Sequence, residues 1–233
     1  MQTDITLCIT MGRRPELLRQ TLESLNRWCT FEKVIAINDF RDEATNKAFL
    51  EVFPGGELIS LSEQLGHHRA IDYMYAKVET PYIFHCEDDW EFDAPFDLEA
   101  MKNLMAQNPA ISQVCFRKIS DFSPDDVDHA KIVEVVAEGM SYLRLDQVHK
   151  QWHGYTFNPH LVSRKLWSEI GGFGTFKKER HISRVLRAQG RYVAYLNPGI
   201  CSHLGEDQSV SLHVTKPTGL RKLRKQIKKI LFG

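Results

Sequence analysis

Short, nearly continuous apolar runs alternate with helix-period segments along the first part of this 233-residue chain. "DITLCIT" (Asp4–Thr10), "KVIAIND" (Lys33–Asp39) and the run opening at Tyr82 in "YIFHCEDDWEF" have the continuous apolar character of strands covered on both faces. Between the first two, Pro15 suits a first helical position, and Leu17, Leu18, Leu22 and Leu25 mark one helical face as far as Trp28. Asp42–Val52 reads as a more polar helix, followed by a short strand near Glu57–Leu61. Gly66–Val78 is a helix with Ala70, Ile71, Met74, Tyr75 and Val78 turned inward. This order predicts an α/β fold, a Rossmann-like and mostly parallel central sheet flanked by helices.

The later pattern is less regular. Asp97–Gln107 reads as a helix, Ser112–Ile119 as a strand and Asp121–Asp128 as a polar loop containing Pro124. A helix begins at the cap residue Ser163 and stops at Gly171-Gly172. Lys178–Gln189 is a further helix closed by Gly190, and "RYVAYL" is the last strand. The chain divides into halves over 1–92 and 93–210 and a tail over 211–233, with no internal repeat.

Charge changes the picture only at the end of the chain. Lys plus Arg and Asp plus Glu number 30 each, so there is no net field. From Leu212 to Gly233, however, seven cations stand without one acid. Leu220, Leu223, Ile227, Ile230 and Leu231 line one face of a C-terminal amphipathic helix within 219–233, with cations opposite. Such a helix either lies on an anionic membrane surface or docks on the body. The neutral total and acidic body argue against nucleic acid. Five cysteines without framework spacing suggest reduced thiols. No apolar run suits a signal peptide or a membrane span. The expected setting is the cytoplasm, with possible peripheral attachment to the inner membrane face.

The chemistry concentrates where strands end, since ligands of a doubly wound sheet gather beyond the carboxyl ends of its strands. Asp39 and the triplet Glu87-Asp88-Asp89 fall there. Adjacent like charges are costly unless something positive sits among them. An all-oxygen set suits Mg²⁺ or Mn²⁺ together with a diphosphate.

Five segments, in order over roughly residues 4 to 210, resemble a GT-A glycosyltransferase. They are "ITLCITMGRRPELLRQTLESL", "VIAIND", "GHHRAIDYMYAKVETPYIFHCEDDWEF", "SRKLWSEIGGFGTFKKERHISRVLRAQG" and "SHLGEDQSV". The chain is similar to the inverting family-two enzymes and, locally, to N-acetylglucosaminyltransferase I, with E-D-D as a variant of the DxD element. The resemblance implies a nucleotide-sugar-binding half over 1–92 and an acceptor-binding, catalytic half over 93–210. Asp89 would bind the metal. Asp88 and Glu87 would hold ribose, sugar hydroxyls or metal-bound water. Asp39 would meet the base or ribose, or else serve as a turn former. Thr10 and Arg14 would line the nucleotide pocket. Arg69 would either reach the diphosphate or pair with the triplet. His203 would complete the metal site. Glu179 falls on the position of the catalytic base, with Lys178 replacing the usual preceding Glu; Glu206 and Asp207 are fallbacks. Trp152 is either an acceptor platform or a buried core residue, and Trp90 is a candidate wall of the donor pocket, whereas Trp28 and Trp167 read as core.

The implied donor is a nucleotide-diphosphate sugar, UDP-sugar favoured, and the acceptor a glycan or lipid-linked glycan of bacterial surface polysaccharide or lipopolysaccharide synthesis. A non-catalytic nucleotide-sugar- or glycan-binding homologue is the main alternative. A sugar nucleotidyltransferase fits less well, because "TMGRRPE" lacks that class's Gly-rich loop.

Overall fold

The computed structural model describes residues 2–122 and 129–204, so the expected helix at 219–233 and the fallbacks Glu206 and Asp207 lie outside the described residues. The first half alternates β1 (Gln2–Met11), α1 (Pro15–Asn26), β2 (Phe31–Asn38), α2 (Glu43–Val52), β3 (Glu57–Ser60), α3 (His67–Tyr75) and β4 (Tyr82–Glu87). Then follow β5 (Trp90–Phe92), α4 (Leu98–Gln107), β6 (Ile111–Cys115), β7 (Val133–Ala137) and β8 (Met140–Arg144). The last elements are β9 (His160–Ser163), α5 (Arg164–Glu169), α6 (Glu179–Ala188), β10 (Tyr192–Leu196) and β11 (Cys201–His203).

Local chemistry explains the helix ends. Asp42 accepts from the Thr45 amide, Asp97 from the Glu99 and Ala100 amides, and Ser163 from the Leu166 amide, each satisfying donors of a first turn. At the other end of α5, Gly171 adopts φ +74°, the left-handed stop that glycine accepts without strain.

Nine strands form one sheet in the order β3-β2-β1-β4-β9-β6-β10-β8-β7. β3, β2, β1 and β4 are parallel, β9 is reversed between β4 and β6, and β6 and β10 are parallel again. The β7–β8 hairpin closes one edge, antiparallel to β10. In the parallel register Thr10 lies level with Ile37 and with Glu87, so β1, β2 and β4 release their next residues at one rim. β5 and β11 form a separate two-stranded ribbon above that rim, with His203 opposite Trp90.

Two apolar layers cover the sheet. Leu18, Leu22, Phe49, Met101 and Leu104 of α1, α2 and α4 pack on one face. Ala70, Ile71, Met74, Leu166, Ile182 and Leu186 of α3, α5 and α6 cover the other. Phe84 anchors the first layer, stacked on Phe116 at 4.8 Å between ring centroids and edge-on to Phe31 at 5.2 Å. Burial of each such ring contributes about 1.5–3 kcal/mol.

Three expectations need correction. The strand expected over 112–119 ends at Cys115, and a tight turn at Ile119–Asp121 follows. The β7–β8 hairpin and β9 were not anticipated. Trp28 is 37% exposed instead of core, its indole N–H donating to the Phe92 carbonyl at 3.0 Å. No helix among the described residues is long and apolar enough to cross a membrane.

Candidate active site

The acidic turn has its positive partner, and it comes from the loop after β1. Gly12 permits that loop, because a Cβ there would lie 2.1 Å from the Phe40 ring. Its amide donates to Asp88 Oδ2 at 2.9 Å. Arg13 adopts φ +59°, with its amide on Asp42 Oδ2 at 2.7 Å and its guanidinium over Phe40. The chain is thereby turned so that Arg14 aims its fork at the triplet. Its Nη2 donates to Asp88 Oδ1 and its Nη1 to Asp89 Oδ2. His203 Nε2 meets the same Asp89 oxygen at 3.0 Å. Arg14 therefore bridges two carboxylates instead of only lining a pocket.

The three acids of the turn are tuned apart. Burial pushes Asp89 upward, but the His203 hydrogen bond and Arg14 outweigh it and hold its carboxyl below the usual range. Burial wins at Asp88, raising it to about 6 against Arg14 and the Gly12 amide. Burial, with the charges of Asp89 and Glu179, pushes Glu87 well up; the Trp90 indole N–H donates to it at 3.4 Å.

Asp39 stands at the same rim, immediately after β2. Its two oxygens accept the Leu65 and Gly66 amides at 2.7 and 2.8 Å, tying the loop that starts α3. The turn-forming role is thus the one its hydrogen bonds show, and each carboxylate oxygen retains a second lone pair. Thr10 is half-buried beside Glu87 in register. Arg69 is exposed on α3 and makes no ion pair with the triplet among the described residues; a Cβ on Gly174 would lie 3.3 Å from its Cγ.

Glu179 opens α6, half-buried toward the same space. Its Oε2 accepts the Phe157 amide at 3.3 Å, and the Thr156 side chain also bonds it. Burial raises its carboxyl to about 7, against these bonds and the more distant charge of Arg117. The charge of Glu179 also contributes to the upward shift of Glu87, so the two halves of the site sense one another.

Burial holds His153 and His160 down to about 4; His153 meets the Tyr195 hydroxyl and His160 the Asn158 carbonyl. Trp90 is buried, edge-on to His203 at 5.1 Å. Trp167 is half-buried and donates to Asp72 Oδ1 at 2.7 Å. Trp152 is 37% exposed. Sequence reasoning missed Asp72, which also accepts the Phe173 and Gly174 amides and thus pins the Gly-Gly-Phe turn to α3. It missed Arg117 as well, whose guanidinium lies over Trp90 and Phe122. The only signal for Arg117 was a cation directly after the apolar run Val114–Phe116.

Among the described residues, no group of three or more His, Cys, Asp or Glu side chains could hold a metal ion. The Asp89–His203 pair, one hard oxygen and one imidazole on a shared point, instead suits an ion that draws its other ligands from water and phosphate.

A family model described as Glycosyl transferase family 2 matches residues 6–179, from β1 to Glu179. The chain belongs to that family. The fold of this family-2 chain is similar to a mannosyltransferase, PcManGT from Pyrobaculum calidifontis, solved with GDP-Man and Mn²⁺, at TM-score 0.65 and 14% identity. It is also similar to GalNAc-T7, solved with UDP, GalNAc and Mn²⁺, at TM-score 0.57 and 11% identity. The matches cover 90% and 85% of this chain but only 59% and 43% of those chains. No curated protein matches the sequence. The family-2 chain thus has the GT-A fold, and His203 lies beyond the family match.

Proposed function

We propose that this family-2 glycosyltransferase moves a sugar from a nucleoside diphosphate sugar to a glycan or glycolipid acceptor, with inversion at the anomeric carbon. The observation that carries this reading is one rim bearing two oppositely tuned acids. Asp89 is held ionised, and Glu179 titrates at about 7.

Asp89 and His203 would hold Mn²⁺ or Mg²⁺, which supplies charge stabilisation for the departing diphosphate. Arg14 presents a forked cation to Asp88 and Asp89, and the same fork matches phosphate oxygens. Thr10 and Asp39 face the nucleoside, and Arg69, unpaired with the triplet, reaches for the phosphates. Glu179 accepts the proton of the acceptor hydroxyl. As the new C1–O bond forms, the bond from C1 to the diphosphate oxygen breaks, and its electron pair leaves with the nucleotide. A carboxyl tuned near 7 suits this role, since a general base works best when its pKa lies near the working pH.

The local likeness to N-acetylglucosaminyltransferase I and its E-D-D element supports a hexosyl or N-acetylhexosaminyl donor. UDP-sugars are the first to try, although the two solved neighbours carry GDP-Man and UDP. The basic segment 219–233 supports a membrane-held acceptor, such as a surface polysaccharide or lipopolysaccharide precursor on the cytoplasmic face. A thermal-shift screen of nucleotide sugars with and without Mn²⁺ tests the donor. Metal-dependent stabilisation by one nucleotide class is expected, and none with any donor contradicts the reading.

A non-catalytic homologue is the second reading, favoured by Lys178 preceding Glu179. Transfer or donor hydrolysis by the wild type, abolished in Asp89→Ala, excludes it.

A further inference from the structure

His203 stands on a three-residue strand just before the end of the described chain, yet its backbone is held from several sides. β11 pairs with β5 through Cys201, Ser202 and His203. Behind it, the Lys118 amide donates to the Cys201 carbonyl at 3.0 Å, and the Ile200 amide to the Phe116 carbonyl at 2.8 Å. Gly199 permits this closeness, because a Cβ there would come 2.6 Å from Lys118 Cα.

One contact is made by a side chain. Asp121 Oδ2 accepts the backbone N–H of His203 at 3.0 Å. Asp121 is itself steadied, since Arg117 Nη2 donates to its carbonyl at 2.8 Å and its amide donates to the Lys118 carbonyl at 3.2 Å. Arg117 is fixed in turn by Asn158 Oδ1 at 3.1 Å and lies over the Phe122 ring at 4.2 Å and the Trp90 ring at 5.6 Å. Trp90 returns to the histidine, edge-on at 5.1 Å. Arg117, Asp121, His203 and Trp90 thus form a closed bracket whose free tip is the imidazole facing Asp89.

Resting on the assignment of Asp89 and His203 as a metal pair, we infer that Asp121, braced by Arg117, is a positioning residue that sets divalent-metal affinity by holding the His203 backbone. Asp121 contacts neither His203 Nε2 nor Asp89. Its carboxylate fixes where the ligand's main chain stands, which fixes where the ring ends. Without that acceptor, the His203 amide would need another partner, and the short strand would shift to find one. Groups that orient a ligand commonly change metal affinity by about 10–100-fold when removed.

The test is a titration of full-length protein with Mn²⁺ in the presence of UDP, and separately of GDP, reading free Mn²⁺ by its paramagnetic resonance signal. Melting temperatures are taken in parallel. Asp121→Ala is expected to weaken Mn²⁺ binding roughly tenfold or more. Asp121→Asn, which keeps an acceptor oxygen, should recover most of the loss. In a His203→Ala background, Asp121→Ala should add almost nothing, because it acts through that histidine.

Unchanged Mn²⁺ affinity in Asp121→Ala, with His203→Ala weak, overturns this inference and leaves the metal pair standing. So does a loss that persists undiminished without His203, or an Asn variant as weak as the Ala. Absence of Mn²⁺ binding by the wild type with either nucleotide overturns the metal pair and this inference together. Should Asp121→Ala fail to fold, Arg117→Lys carries the test by the same criteria, with a smaller loss expected.

Discussion

Two parts of the rim use the same functional group in opposite ways. On the β1–β4 side, Asp39, Asp88 and Asp89 are met by charge or by two N–H donors, while Glu87 has the Trp90 indole N–H and is pushed well up. Asp89 has Arg14 and His203, Asp88 has Arg14 and the Gly12 amide, and Asp39 has two amides. On the α6 side, Glu179 has one amide and a threonine side chain, and no ion pair among the described residues. Burial acts on both sides, and it is outweighed only at Asp89, where Arg14 and His203 both stand on the carboxylate; Asp88, with Arg14 and the Gly12 amide, still rises to about 6. On the reading proposed here, the first arrangement serves binding and the second proton acceptance.

That contrast can be broken in descending steps. Glu179→Gln keeps shape and the amide contact but removes the base, so kcat should fall about 10²–10⁴-fold with donor binding unchanged. A fall confined to KM would place Glu179 among the binders. Arg14→Ala leaves Asp88 and Asp89 without their shared cation, and removing one partner of a buried ion pair costs about 3–5 kcal/mol. Denaturant unfolding should show a loss of that order without metal, and Mn²⁺ with nucleotide should restore more stability to this variant than to wild type.

The pH dependence sharpens the contrast further. With Glu179 titrating at about 7, kcat should rise as pH passes through 7, falling about tenfold per unit on the acid side. Stability has the opposite sign. Between its ordinary value of 4.5 and about 7, the folded protein holds a proton that the unfolded chain has released, so stability declines as pH rises across that window. Glu179→Gln should flatten this decline, seen as a melting temperature nearer to or above wild type at pH 8. The smallest effect belongs to Asp39→Asn, which loses one of two amide acceptors. About 1 kcal/mol of stability is expected to go, together with a modest rise in donor KM.

The two parts also differed in how well they could be read beforehand. β1, β2 and β4 are continuous apolar runs with helices between them, and their carboxyl ends followed directly, so Asp39 and Glu87–Asp89 were placed at one rim from sequence. Beyond β5, the helices and β10 were still legible, but the short and edge strands were not. β9 has only four residues, and the β7–β8 hairpin leaves Val133 and Val136 exposed, so neither shows clean alternation. Arg14 was assigned to the right loop but not to its partners. Its aim depends on Gly12 closing on Phe40 and on the positive φ of Arg13, which no residue pattern announces. Asp72 and Asp121 escaped notice because they act on backbone groups brought near by the fold over long sequence separations, and Arg117 because its Asn158 and Trp90 partners are likewise distant in sequence. Capping, by contrast, is local, and Ser163 and Gly171 were legible for that reason.

The central claim is that the Asp89–His203 pair holds a divalent cation for a nucleoside diphosphate. Anomalous diffraction at the manganese edge, from crystals grown with Mn²⁺ and UDP or GDP, tests it most directly. The predicted result is a single strong peak within about 2.3 Å of both Asp89 Oδ2 and His203 Nε2, with Arg14 turned toward the phosphates. A nucleotide bound with no manganese at that pair, and Arg14 still bridging Asp88 and Asp89, would contradict it.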